Sequence, residues 1–202
     1  ITAVSGEDGT FLFENVPYGN WLIKELQPAD GYLSNDEIYP VRISENGQTV
    51  GITVVNDRTP EIGTKATVNG EKTATAEGDI TIEDTVSYKH LIPGKAYTIK
   101  GILMDMATGK AFLVDGKELT SEVTFTPEES CGEVTVRFTF GGSKITKQTD
   151  LVVFETLYRD GVELAAHADI EDGGQTVTLI PPKPDIPQTG DNSNLGFWIG
   201  LG

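Results

Sequence analysis

Apolar residues recur at every second position in short runs along this chain, and Gly, Pro, Asn or Asp closes most runs. That period lines one face of a pleated strand, and no stretch sustains a helical period instead. Runs at 10–16, 21–26, 41–44 and 49–56 read as strands. So do 63–68, 80–88, 96–104, 123–126, 133–140, 150–158, 163–167 and 175–180, with a short helical turn expected at 127–129. The 23 Gly and 10 Pro against 2 Met point the same way, to turns between strands. Polar residues and Pro60 break the pattern at 57–60. The expectation is an all-β chain of two tandem Ig-like or Greek-key β-sandwich domains, 1–59 and 60–180. An extended Pro-rich tail follows, with a spacer and short motif at 181–190 and the start of an apolar run at 191–202.

Charge and cysteine usage exclude several classes of function. Acidic residues number 31 against 15 basic ones, a net charge of −16, which leaves no basic face for nucleic acid or anionic lipid. The single cysteine, Cys131, makes neither an internal disulfide nor a zinc site, so an extracellular chain of this kind needs another staple. Cys131 sits in a turn-like stretch, EESCGE, as an incidental small residue. Ile1 opens in mid-fold and Gly202 lies within an apolar run, so the sequence reads as a segment of a longer protein. No zinc motif, phosphate loop or Ser-His-Asp order occurs, and no cofactor is expected.

The tail carries the sharpest motif. Residues 181–185, PPKPD, favour an extended spacer, and Ile186, Pro187, Gln188, Thr189 and Gly190 follow it, then DNSN, then the apolar LGFWIGLG. This order resembles the cell-wall sorting signal of Gram-positive surface proteins, LPXTG followed by a membrane segment, with Ile186 in place of Leu. The resemblance implies cleavage by a sortase between Thr189 and Gly190 and transfer of Thr189 to peptidoglycan or to a pilin amine. It also implies a secreted protein, anchored to the wall.

GTFLFENVPYG at 9–19 and WLIKELQPADGY at 21–32 resemble the second half of a Cna B-type domain, the repeat of Gram-positive pilins and adhesins. In that family a lysine on the first strand bonds to an asparagine on the last, assisted by a buried glutamate. The matches are Asn56 and Glu25, and the lysine strand would lie before Ile1. An acid among apolar strand neighbours would be desolvated and could sit protonated.

Residues 61–180 resemble the VaFE-repeat or Thr–Gln ester-bond domain of bacterial surface proteins. The stretches that carry the resemblance are IGTKATVNG, DTVSYKHLIPGKAYTIKGILMD, LVVFE and HADIEDGGQT. There, a threonine hydroxyl on the first strand displaces ammonia from a glutamine side chain on the last. The resemblance implies Thr64 as nucleophile, Gln175 as acceptor, His167 as base and Glu155 and Asp172 as assisting carboxyls. Thr67 is the alternative nucleophile; strand alternation puts it on the face opposite Thr64, so one of the two points inward. Two close carboxyls cannot both ionise cheaply, and the protonated one can donate to the amide. Asp169, Glu171 and Asp172 could instead form a calcium loop, although EF-hand spacing is absent, and His90 reads as surface.

These expectations add up to a structural stalk, adhesin or pilin-like protein. Its chemistry is single-turnover self-cross-linking, so it is not an enzyme in the ordinary sense. The alternatives are a module that binds host extracellular matrix or glycan, and the stalk of a secreted wall-anchored enzyme.

Overall fold

A computed structural model describes residues 1–183; the motif Ile186–Gly190 and the segment 191–202 with its apolar run lie outside the described residues. Residues 1–59 contribute β1 (Gly19–Lys24) and β2 (Ile38–Ile43), paired antiparallel with Trp21 opposite Val41. The second region begins with β3 (Glu61–Val68), β4 (Thr73–Thr75), β5 (Asp79–Lys89) and β6 (Tyr97–Asp105). Three short pieces follow, β7 (Lys110–Ala111), β8 (Leu113–Val114) and β9 (Lys117–Glu118). The chain continues through β10 (Thr120–Phe125), β11 (Gly132–Gly141), β12 (Thr149–Arg159), β13 (Val162–His167) and β14 (Thr176–Ile180).

Two sheets face each other across one core. One runs β10-β6-β12-β14-β4, with β13 added on β12 and β7 on β6; the other is β11-β5-β3. Alternation explains the core directly. On β5, Ile80, Ile82 and Val86 point inward, and on β12, Leu151, Val153 and Leu157 do so, all at most 3% exposed. Phe138 from β11 and Leu103 from β6 fill the space between them. Burial of such side chains is worth roughly 1.5–3 kcal/mol each against leaving them in water.

The eight strands expected in the second region all form, within a few residues at their ends. The helical turn is displaced. It lies at Gly142–Lys144, where the Gly142 N–H donates to Gly78 O at 2.7 Å and Ile145 plugs the core. At 127–129 the backbone is tied to the 91–94 loop instead, through Gly94 N–H to Pro127 O and Leu91 N–H to Ser130 O. His90 is half-buried, not a free surface residue; its ring nitrogen lies 3.1 Å from Thr59 O and its backbone is left-handed, φ 63°.

The all-β reading extends to 1–59, but 10–16 and 49–56 run outside any ladder among the described residues. They keep the alternation: Phe11, Phe13, Ile52, Val54 and Asn56 are half-buried while their neighbours are exposed. A pattern selects which face turns inward, whereas a ladder also needs a neighbour to share its N–H and C=O groups.

Candidate functional site

Three polar side chains are buried in the second region, and all three belong to one cluster: Asp84 and Gln175 at 0% exposure and Glu155 at 1%. Each occupies an inward position that would otherwise hold an apolar residue. Asp84 falls between Ile82 and Val86 on β5, and Glu155 between Val153 and Leu157 on β12. Thr64 precedes Ala66 and Val68 on the inward face of β3. Strand pairing sets Glu155 opposite Gly101 on one side and His167 on the other. Gly101 is what makes room for the acid. A Cβ there would stand 2.9 Å from Glu155 Oε1 and 2.6 Å from the Phe138 ring.

Gln175 is held by its backbone. The Gln175 N–H donates to Asp172 O at 3.1 Å, and Val153 N–H donates to Gln175 O at 3.1 Å. The turn before it is an Asx turn, with Gly174 N–H donating to Asp172 Oδ1 at 2.6 Å and the Thr176 hydroxyl to Asp172 O at 2.7 Å. Ala66 N–H reaches Gly174 O at 3.0 Å, which fastens the Gln175 segment alongside β3, the strand that carries Thr64. Gln175 Nε2 donates to His167 O at 3.3 Å.

The polar atoms at the centre lack partners. Thr64 Oγ1, both Asp84 oxygens, both Glu155 oxygens, His167 Nδ1 and Gln175 Oε1 are buried without a hydrogen bond of normal geometry. Folded proteins rarely leave such groups unpaired, because each costs on the order of 1–3 kcal/mol, and a cluster of them marks a reactive or strained site. Asp84 nevertheless faces both the Thr64 hydroxyl and the Glu155 carboxyl. Burial raises both acids, Asp84 to about 6 and Glu155 to about 9, and the neighbouring Asp84 charge adds to the rise at Glu155. Such a pair titrates as a unit and holds one proton near neutral pH.

His167 Nε2 lies 3.1 Å from Asp172 Oδ2, both side chains being a little under a third exposed. Placing the ring proton on Nε2, toward the carboxylate, leaves the Nδ1 lone pair facing inward and free to accept a proton. The structure therefore gathers Thr64, Glu155, His167, Asp172 and Gln175, as the sequence suggested, but divides the carboxyls differently. Asp172 contacts the histidine; the neighbour of Glu155 is Asp84, which the sequence reading missed. Asp84 was findable, since it is the one acid in phase with Ile80, Ile82, Val86 and Tyr88. Thr67 lies on the other face, its hydroxyl 3.5 Å from Glu83 O. Asp169 and Asp172 serve the loop's own backbone, Asp169 Oδ1 accepting from Glu171 N–H.

In the first region the structure brings Glu25 and Asn56 together. Asn56 Nδ2 donates to Glu25 Oε1 at 2.5 Å, and Asn35 N–H donates to Glu25 Oε2 at 2.8 Å. Glu25 stands one residue past β1 and is half-buried, not sealed among strand neighbours as expected. Asn35, unnoticed in sequence, spans this site, its side chain donating to Val55 O and the Tyr39 hydroxyl.

Two family models match separate parts of the chain. A family described as "T-Q ester bond containing domain" matches residues 60–179, and one described as "Prealbumin-like fold domain" matches 1–58. Among solved structures, a bacterial adhesin from Mobiluncus mulieris containing intramolecular disulfide, isopeptide and ester bond cross-links superposes with a TM-score of 0.54 at 22% identity. The match covers 62% of this chain and 58% of that one, so the chain spans little more than half of that adhesin's length. The major pilin subunit of Bacillus cereus aligns over 88% of this chain and 59% of its own, at 13% identity and a TM-score of 0.44. No curated protein matches the sequence.

Proposed function

The chain belongs to the T-Q ester bond containing domain family, and from that premise we propose that it is a covalently stapled stalk segment of a bacterial surface adhesin or pilin. The staple is an ester between Thr64 Oγ1 and Gln175 Cδ. The observation that carries this reading is the set of buried, unpartnered polar atoms on Thr64, Asp84, Glu155, His167 and Gln175. A stable core has no use for them, and acyl transfer uses each one.

The step balances within the site. His167 Nδ1 takes the Thr64 hydroxyl proton as Oγ1 attacks Cδ of Gln175. The shared proton of the Asp84–Glu155 pair stabilises the developing oxyanion on Oε1, which has no other donor. The imidazolium passes that proton to Gln175 Nε2, the Cδ–Nε2 bond breaks and ammonia leaves. Asp172 holds the ring and offsets its transient charge. The event happens once per chain. The loop it closes spans about 110 residues, so by analogy with a disulfide it stabilises by roughly 4–5 kcal/mol. It joins the first strand of the domain to the last, so tension passes through a covalent bond and not through strand hydrogen bonds.

In the same reading Glu25 and Asn56 await a lysine on an upstream strand, and the motif Ile186–Gly190 is a sortase substrate that attaches Thr189 to peptidoglycan or a pilin subunit. The ester is tested by intact mass: residues 1–202 should be lighter than calculated by one ammonia, and Thr64→Ala and Gln175→Ala should each restore the full mass. A parent chain that keeps its calculated mass after long incubation removes the staple. Anchoring is tested separately: a Thr189→Ala full-length protein that fractionates with purified wall as the parent does would contradict it.

A further inference from the structure

Lys72 behaves unlike the other lysines around it. Lys89, Lys100 and Lys144 pair with exposed carboxylates on the surface of this acidic chain. Lys72 turns inward to backbone oxygen. Its ammonium donates to Gly174 O at 2.6 Å and to Thr176 O at 3.2 Å, the two carbonyls that flank Gln175. These contacts join residues more than a hundred positions apart in sequence.

Local structure puts it there. Val68 and Glu71 exchange both backbone hydrogen bonds around Asn69 and Gly70, whose φ values are 53° and 79°. Two left-handed residues make the tightest hairpin, and Asn-Gly is the pair that forms it at least cost. The turn sends the chain back from the end of the nucleophile strand into β4, which runs parallel to β14. Lys72, the first residue after the turn, is then level with the acceptor segment, and its own carbonyl accepts from Thr178 N–H at 2.8 Å.

We propose that Lys72 is a positioning residue for ester formation, clamping the backbone on both sides of Gln175 so that the acceptor amide is presented to Thr64. The inference rests on the ester reading and adds a residue to it. Gly174 O accepts from Ala66 N–H as well as from Lys72, so the strand that carries Thr64 and the hairpin that follows it grip the same carbonyl. Holding two reacting groups in near-attack geometry is worth orders of magnitude in rate. The cation also lies within electrostatic reach of Asp84 and Asp172, with Lys65 opposing it. Burial draws its ammonium below the usual lysine value while those two carboxylates push it back up. The charge therefore favours ionisation of one member of the Asp84–Glu155 pair, leaving the other to carry the shared proton.

The test follows freshly translated 1–202 by intact mass over time, in buffers from about pH 5 to about pH 10. Parent, Lys72→Met, Lys72→Gln and Lys72→Arg chains are compared. Lys72→Met should lose ammonia at least about tenfold more slowly, with its pH profile displaced upward because a nearby positive charge is gone. Lys72→Arg should recover most of the rate, since it keeps charge and donors. Lys72→Gln, which keeps a donor without the charge, should fall between and still be readable if the Met variant does not fold. Equal rates and profiles for parent and Lys72→Met overturn the role of Lys72 alone, as does a Lys72→Arg chain as slow as Lys72→Met. A parent that never loses ammonia overturns the ester itself and the role with it.

Discussion

The two regions of the chain place an acid and a carboxamide side by side in opposite surroundings. No residue of 1–59 is fully buried, and both Glu25 oxygens are hydrogen-bonded, to Asn56 and Asn35. In 61–180, Asp84, Glu155 and Gln175 are sealed among more than twenty apolar residues, and neither acid has an oxygen in a hydrogen bond of normal geometry. The lesson is that residue type and proximity are insufficient. Burial is what raises the two acids, keeps a proton on one of them at neutral pH and leaves a histidine lone pair unsatisfied. Glu25 and Asn56 have the proximity and lack the enclosure.

The largest expected effect is on stability. Thr64→Ala should lower the melting temperature of the second region by roughly 15–25 °C, the equivalent of about 4–5 kcal/mol in a domain of this size. Calorimetry in which Thr64→Ala melts with the parent would erase the contrast between the regions. Thr67→Ala, on the outer face, should keep both the ammonia loss and the melting point.

Next in size is the rate of bond formation. Asp84→Asn and Glu155→Gln should each slow ammonia loss by about 10²–10⁴-fold, because each removes one of the two carboxyls that share the proton. Time-resolved mass spectrometry reads this directly. An Asp84→Asn chain that reacts like the parent would return the catalytic pairing to Glu155 and Asp172.

The acids also imply a pH dependence of fixed sign. Both have folded values raised above their unfolded ones, so their contribution is complete below about pH 4 and is lost as pH rises through about 6 and then about 9. In the Thr64→Ala background, where no staple can form, the melting temperature should therefore fall relative to a Thr64→Ala/Glu155→Gln protein as pH is raised across that range. A constant difference would mean that the acids are not desolvated as a pair.

The smallest effect belongs to the first region. Asn56→Ala should cost about 1 kcal/mol or less, because its amide is half-buried and water can replace it at Glu25. Hydrogen exchange should detect it as faster exchange of the Asn35 amide, with no change across 61–180. A loss comparable to Thr64→Ala would show that the first region is stapled too.

Much of this was legible in the sequence. Alternation placed the eight longer strands of the second region and missed the short β4, β7, β8 and β9, while the types Thr, His, Glu, Asp and Gln at their positions resembled one chemistry. In the first region the same signal was read as four strands, and two of them, 10–16 and 49–56, lie outside any ladder among the described residues. Period-2 alternation reports a face; it carries no information about the strand that lies alongside. The helical turn was misplaced for a related reason, since long-range backbone bonds to Gly78 and to the 91–94 loop decided where the chain could coil.

What the sequence determined by itself is which side chains could do chemistry and which way each strand turns them, because a strand's period is local and needs no partner. What only tertiary structure decided is who stands beside whom. Pairing of β3 with β5 put Asp84 next to Thr64, pairing of β12 with β6 set Gly101 beneath Glu155, and the Asn69–Gly70 hairpin carried Lys72 to the carbonyls around Gln175. Those neighbours are tens to more than a hundred residues apart. A register slip of one residue would turn each of them to the opposite face, so only the assembled sheets fix them.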